Sequence, residues 1–264
     1  MSQEKLSNPL RRKLKAGGST LGLWATMECA SITEVALVLG LDWVVVDMEH
    51  GHLDFNDLVE HLRVIRETET SIIVRLPAIR EEYVKRALDL GAHGVLLPLP
   101  RSAEDVERGF RFGRYPPRGI RGIGGERAVK WGLGMQEYLR IADQETLLIP
   151  LIETRQAAED IDNIFEVEGL EAIFFGPNDL SASFGHVGEW EGGGVAAIIL
   201  DIRARAAERG IASGVMSTSV ENSKQRQEQG FQMIGLGSDT GMMIRALQEN
   251  LGVLGRDTKP RLWL

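Results

Sequence analysis

The chain has 264 residues, 43% hydrophobic and 26% charged, enough for one large α/β domain or two small ones. A net charge of -8 and an isoelectric point near 5.3 argue against a nucleic-acid binder, which needs clustered cations to displace phosphate counterions. The single cysteine, Cys29, excludes an intramolecular disulfide and fits a reducing cytosol, and no apolar run is long enough to span a bilayer or form a secretory core, so a cytoplasmic protein without membrane partners is expected.

Residues 1–18 read as an N-terminal tail and 19–264 as one domain. A first strand is predicted at Thr20–Ala25, then a helix at Ile32–Leu39 behind a Ser31 cap. The second strand, Trp43–Asp47, precedes a helix over Asn56–Glu67 capped by Asp54. Strands Ser71–Leu76 and Gly94–Leu97 follow, each with its helix, at Glu81–Leu90 and Ala103–Gly113. Arg114–Glu145 is irregular, rich in Gly, Pro and Arg, with a helix at Met135–Ala142; a connection this long reads as a lid or pocket wall. Strand Leu147–Ile152 leads to helix Gln156–Phe165, and strand Ala172–Phe175 to helix Val195–Arg209. Strands Ile211–Met216 and Gln232–Leu236 lead to helices Val220–Gln229 and Thr240–Leu251. Glycines 40, 91, 210 and 230 stand where helix C-caps belong.

Most of these strands are continuous apolar runs, as expected of parallel strands covered on both faces. Eight βα units in about 250 residues predict a single-domain (β/α)8 TIM barrel. The competitor, a doubly wound open sheet, calls for a glycine fingerprint after the first strand, and Trp24-Ala25-Thr26-Met27-Glu28 has none.

Ligands in parallel α/β folds bind beyond the carboxyl ends of the strands, and three strand ends here deliver acids or a histidine. The second runs into Asp47, Glu49 and His50, the fifth into Glu153, and the sixth through Gly176-Pro177-Asn178 into Asp179. Two neighbouring carboxylates repel unless a cation or shared proton relieves them, and a hard divalent ion with oxygen ligands does so. The alternative is that they cap helices, with Asp179 an N-cap before Leu180-Ser181. His50 is the best acid–base candidate, because Asp47 and Glu49 can orient its ring and Arg75 ends the next strand. His52, His61, His93 and His186 read as loop or helix-surface residues. Arg75, in an apolar strand end, needs a carboxylate from Asp47, Glu49 or a substrate. No lysine lies in a strand, which disfavours Schiff-base chemistry. The Leu236–Thr240 turn resembles a phosphate loop, but Ser238 or Asp239 capping the last helix is the simpler role.

Together these residues resemble the HpcH/HpaI aldolase family. The motifs are Gly22-Leu23-Trp24, the Trp43–His50 run, Arg75 before Leu76-Pro77, Leu88–Ala92, Arg114–Gly119, Arg121–Gly124, Ile152-Glu153-Thr154 and Phe175–Ser183, colinear over about residues 19 to 255. The resemblance implies metal-dependent cleavage of 4-hydroxy-2-oxo acids to pyruvate and an aldehyde, close to the aldolases of 2-dehydro-3-deoxyglucarate and 4-hydroxy-2-oxoheptanedioate. It implies Glu153 and Asp179 as ligands of Mg2+, Mn2+ or Co2+, with no organic cofactor, and the N–H groups of Asn178 and Asp179 as holders of the pyruvate carboxylate. His50 matches the base, Asp89 the acid that raises its basicity, and Arg75 the enolate-stabilising cation; Asp47 and Glu49 then orient metal-bound water. Trp24 and the 114–145 loop would shape the aldehyde pocket. A homo-oligomer, trimer or hexamer, with C-terminal helix exchange is also implied, which the apolar Met242–Leu254 segment and Leu262-Trp263-Leu264 permit.

Two positions depart from the pattern. Leu151 stands where the family usually has a glutamine that contacts pyruvate, and Asn178 where it has Ala or Ser. The lost hydrogen bond costs about 1–3 kcal/mol, which puts the substrate in question more than the reaction. The alternatives are an acyl-CoA lyase of citrate or malyl type, disfavoured by the acidic chain, and a metal- and oxo-acid-binding homologue with little turnover.

Overall fold

The computed structural model describes residues 7–65, 68–192 and 194–259. Eight strands, β1 (Thr20–Ala25), β2 (Trp43–Asp47), β3 (Ser71–Arg75), β4 (Gly94–Leu97), β5 (Leu147–Ile152), β6 (Ala172–Phe175), β7 (Ala212–Met216) and β8 (Met233–Ser238), close into a parallel barrel in sequence order. The expected (β/α)8 architecture is the observed one, and strand boundaries differ by at most two residues.

Helices α2 (Ser31–Val38), α3 (Phe55–Val64), α4 (Glu81–Leu90), α5 (Ala103–Gly113), α6 (Met135–Glu145), α7 (Arg155–Glu159), α8 (Ile161–Phe165), α9 (Pro177–Ser183), α10 (Val195–Glu208), α11 (Val220–Glu228) and α12 (Asp239–Val253) follow in chain order. Asp54 caps α3 reciprocally with Asp57, and Ser238 caps α12 through the Gly241 N–H. Ser31 is not a cap but the first residue of α2: the N-cap position is Ala30, with no side-chain hydrogen bond. The helix expected over residues 156–165 breaks at Asp160, whose carboxylate accepts the Ala103 N–H instead (2.7 Å).

One apolar layer lies between strands and helices, and a second fills the barrel. In the second, Trp43 lies so close to β1 that a Cβ on Gly22 would fall 2.0 Å from its ring, so only glycine fits there.

The segment read as an N-terminal tail carries a further helix, α1 (Pro9–Lys15), which plugs the amino end of the barrel. Leu10 and Leu14, one turn apart, join the interior layer beside Trp43 and Leu147. Asn8 caps α1 and donates to the His93 and Glu145 carbonyls (2.8 and 2.9 Å). Seven residues reading Pro-Leu-Arg-Arg-Lys-Leu-Lys give too short and too basic a signal to reveal a buried face.

The long connection 114–145 also lies at the amino end, because it joins the end of α5 to the start of β5. With Gly91, Ala92 and His93 it lines a separate cavity of about 540 Å³ there. It is therefore no lid on this chain's own carboxyl mouth: connections from a helix to the next strand return to the strands' amino ends. Leu262-Trp263-Leu264 falls outside the described residues.

Candidate active site

A cavity of about 470 Å³ opens at the carboxyl mouth, and Trp24, Asp47, His50, Arg75, Leu151, Glu153, Asn178 and Asp179 all line it. Eight residues singled out in the sequence, from β1, β2, β3 and β5 or just beyond their ends and from the first turn of α9, thus meet in one place.

Register builds the first wall. Asp47 and Arg75 are partners on the adjacent strands β2 and β3, so their side chains leave side by side. Arg75 Nε donates to Asp47 Oδ1 (2.9 Å) and its Nη2 to Asp47 Oδ2, a bidentate pair. Asp47 Oδ1 also accepts the N–H groups of Glu49 (3.0 Å) and His50 (3.1 Å), which fixes the turn carrying His50. Burial alone would raise the Asp47 carboxyl; Arg75 and these two N–H groups outweigh it and hold the group below its ordinary value. The internal ion pair considered for Arg75 is formed, and its guanidinium still faces the cavity, 5.5 Å from the Trp24 ring centroid. Trp24 packs on Phe174 (5.3 Å between centroids) and forms part of the floor.

The second wall carries uncompensated acid. Leu151 and Glu153, two residues apart along β5 and its end, both line the cavity. Glu153 is 2% exposed, and burial, helped by Glu49 and Asp179, pushes its carboxyl up to about 7 against the pull of Leu99 and Arg75. Its Oε1 accepts the Leu99 N–H (2.6 Å); Leu99 sits between two prolines at φ +48, a left-handed conformation unusual for leucine. Its Oε2 lies against Gly176, where a Cβ would come within 2.5 Å, so glycine there keeps that oxygen unobstructed. Glu49 is likewise raised, mainly by burial, and its Oε2 stands 3.4 Å from Arg75 Nη1 yet accepts no hydrogen bond.

Asp179 is not the cap of α9; Gly176 occupies that position, and Asp179 lies in the first turn behind Pro177. The N–H groups of Asn178 and Asp179 precede the first intrahelical bond, Leu180 N–H to Gly176 (2.9 Å), and so have no helical acceptor. Among the described residues no three His, Cys, Asp or Glu side chains form a ready metal cluster. Glu153 and Asp179 nevertheless suit a hard divalent cation that takes its remaining oxygens from water and substrate, because the mouth buries acid without matching positive charge.

Asp89 is the one expected catalytic residue that is absent from this cavity. It lies in the last turn of α4, at the amino end of the barrel, where Arg121 Nη2 donates to it (2.7 Å). Helices run antiparallel to the strands, so the end of α4 lies far from the carboxyl mouth within one chain. Sequence reasoning missed Leu99, Thr218 and Arg245. Leu99 acts through its backbone, and Arg245 reads as one more surface cation on the last helix.

An eight-stranded parallel barrel that gathers a histidine, an arginine and buried acids at its carboxyl mouth is a (β/α)8 enzyme site. The chain belongs to the HpcH/HpaI aldolase/citrate lyase family, whose model matches residues 20–246. It is 32% identical over 252 residues to a hydroxypyruvate/pyruvate aldolase of Paraburkholderia phytofirmans, covering 93% of this chain and 96% of the relative. It is 31% identical over 255 residues to a 2-keto-3-deoxy-L-rhamnonate aldolase of Klebsiella pneumoniae, covering 96% and 95%. The crystal structure of a family member from Burkholderia cenocepacia superposes with a TM-score of 0.88 at 29% identity, covering 94% of this chain and 100% of that one. The protein is accordingly an enzyme of the aldolase type, a carbon–carbon lyase.

Proposed function

We propose that the mouth reversibly cleaves 4-hydroxy-2-oxo acids to pyruvate and an aldehyde. The observation that carries this reading is the convergence of Glu153 and Asp179 with Arg75 and His50 on one cavity. Glu153 and Asp179 would hold a divalent cation (Mg2+, Mn2+ or Co2+), which when bound would supply Lewis acidity to the substrate's keto oxygen.

The unpaired N–H groups of Asn178 and Asp179 receive the oxo-acid carboxylate. Arg75, held rigid by Asp47, places positive charge where the enolate oxygen develops. His50 takes the proton of the C4 hydroxyl as the C3–C4 bond breaks; the aldehyde leaves, and the electron pair stays on C3 of the pyruvate enolate until a proton returns. Asp47 positions the His50 backbone, and Glu49 offers an open oxygen to ordered water. Leu151, 2% exposed, gives the pyruvate side an apolar surface in place of a donor. Asp89 can serve His50 only if a second copy of the chain delivers it, which agrees with a cytoplasmic homo-oligomer. The exposed apolar residues Met243, Ile244, Leu247 and Leu251 of α12 support such an assembly.

The test is pyruvate release from 4-hydroxy-2-oxohexanoate with Mg2+ or Mn2+ and again with EDTA. Turnover that EDTA abolishes is expected. Turnover that survives EDTA contradicts the role of Glu153 and Asp179, and binding of metal and pyruvate without release favours the homologue that has lost catalysis.

A further inference from the structure

The cavity has a second half that the cleavage step does not use. Glu153 and Asp179 stand at β5 and β6, and Asp47 and Arg75 at β2 and β3; the remaining wall comes from the ends of β7, β8 and β1. There Thr26, Ser217, Thr218, Ser238 and Arg245 line the cavity. Most of their polar groups are spent internally. Thr26 donates to Asp239 (2.6 Å), Ser217 to the Gly235 carbonyl (2.8 Å), and Ser238 caps α12. Arg245 differs: it makes no hydrogen bond or ion pair with any described residue.

Its position is set by the helix. Side chains on α12 lean back toward its amino end, so the Arg245 guanidinium lies over the preceding turn. Its Nη1 lies 4.0 Å from where a Cβ on Gly241 would be, and its Nη2 2.9 Å from one on Gly237. Gly237, at φ +137, therefore supplies both the backbone bend and the space the guanidinium occupies. A cation folded over a helix amino terminus adds to the positive end of the dipole and is unfavourable without an anion. The carboxylate in the first turn of the same helix, Asp239, is already committed to the N–H groups of Thr26 and Met27 (2.8 and 3.0 Å).

We propose that Arg245 is a specificity-determining residue that binds an anionic group, carboxylate or phosphate, at the far end of the aldehyde partner. The inference rests on the lyase reading above for the identity of that partner. Substrate then lies across the barrel, its oxo-acid end between β5 and β6 and its anionic tail under Arg245, with Thr218 beside it. The neutral aldehydes of the same length lack the group that Arg245 pairs with.

The test compares 4-oxobutanoate, glyceraldehyde 3-phosphate and neutral butanal as acceptors for pyruvate in the wild type, R245M and R245K. The expected result is a fall of about tenfold to a hundredfold in the anionic-to-neutral ratio of kcat/KM for R245M, the size of one charge-assisted hydrogen bond, with partial recovery in R245K. The acceptor that loses more identifies carboxylate or phosphate as the tail. A ratio unchanged within twofold overturns the proposal. Calorimetry with succinate, which cannot condense, provides a readout independent of turnover: its Kd should rise at least fivefold in R245M. Equal affinity in both proteins overturns the assignment of Arg245, whereas absence of turnover with every aldehyde overturns only the lyase reading.

Discussion

The two ends of the barrel differ in how they treat buried acids and their neighbours, although Arg121 Nη1 at the amino end also lacks a hydrogen-bond partner among the described residues. At the amino end, Asn8 satisfies two carbonyls, its Oδ1 accepts from Ser71 (3.2 Å), and Leu10 and Leu14 fill the space beneath. His93 there accepts the Ile72 N–H (3.2 Å), and burial, with the Arg127 charge, pushes it down to about 4, so it is neutral. At the carboxyl end Glu49 Oε2 accepts nothing, Glu153 is driven up to about 7, and Leu99 is held left-handed. Groups that are satisfied internally stabilise a fold; groups left short of a partner mark where a ligand completes the structure.

The contrast is sharpest in Glu153→Gln. Removing one of two acids that would hold the cation should lower cleavage on the order of 10³-fold, comparable to losing a major charge-stabilising group. The same change should leave the metal-free protein at pH 8 as stable as the wild type or more so, because a buried charge has gone. Rates in a pyruvate-coupled assay and chemical denaturation check both; loss of activity accompanied by unfolding contradicts the division between the ends.

Leu10→Ala tests the other end. A fully buried leucine cut to alanine should cost about 2–5 kcal/mol by urea denaturation, with kcat per folded molecule unchanged. A kcat loss without a stability loss would mean that the plug communicates with the mouth.

Acidity separates the two ends by sign. Glu153 binds a proton more tightly folded than unfolded, so in EDTA its contribution is full below about 4.5 and is lost as pH rises through about 7. His93 binds a proton less tightly folded, so its contribution is present above about 6.5 and is lost as pH falls through about 4. Each contributes about 3 kcal/mol, since a tenfold change in proton affinity corresponds to ~1.4 kcal/mol. The stability of Glu153→Gln relative to wild type should therefore climb as pH rises from about 4.5 to 7, and that of His93→Gln should fall from about 4 to 6.5. Flat differences, measured by urea denaturation across this range, contradict the burial of both groups.

The smallest effect concerns Leu151. Glutamine there restores a donor toward the oxo-acid end, and pyruvate affinity by calorimetry should tighten about fivefold to thirtyfold, or ~1–2 kcal/mol. Unchanged affinity shows that Leu151 does not face bound pyruvate.

The carboxyl end was legible in sequence because strands buried on both faces are continuous apolar runs, and a charged residue ending such a run stands out. Asp47, Arg75 and Glu153 were visible for that reason, and His50 through its neighbours. The amino end was not. Helix α1 is too short for its two leucines to show periodicity, and the 114–145 connection announces its length but not which end it serves. Asp89 was placed by resemblance, and only the antiparallel run of α4 shows that it lies away from His50 in one chain. Leu99 depends on a contact with Glu153, a residue distant in sequence, that no local pattern encodes, and Arg245 reads locally as one more cation of the last helix.

The central claim is that the carboxyl mouth moves a proton beside a carbonyl with the help of a cation held by Glu153 and Asp179. Exchange of the pyruvate methyl protons in D2O, followed by NMR with Mn2+ and then with EDTA, measures that step without any aldehyde. Exchange that requires the metal, vanishes in Glu153→Gln and drops at least a hundredfold in His50→Ala is the predicted result. Exchange that proceeds equally in EDTA, or is unaffected by both substitutions, contradicts the account.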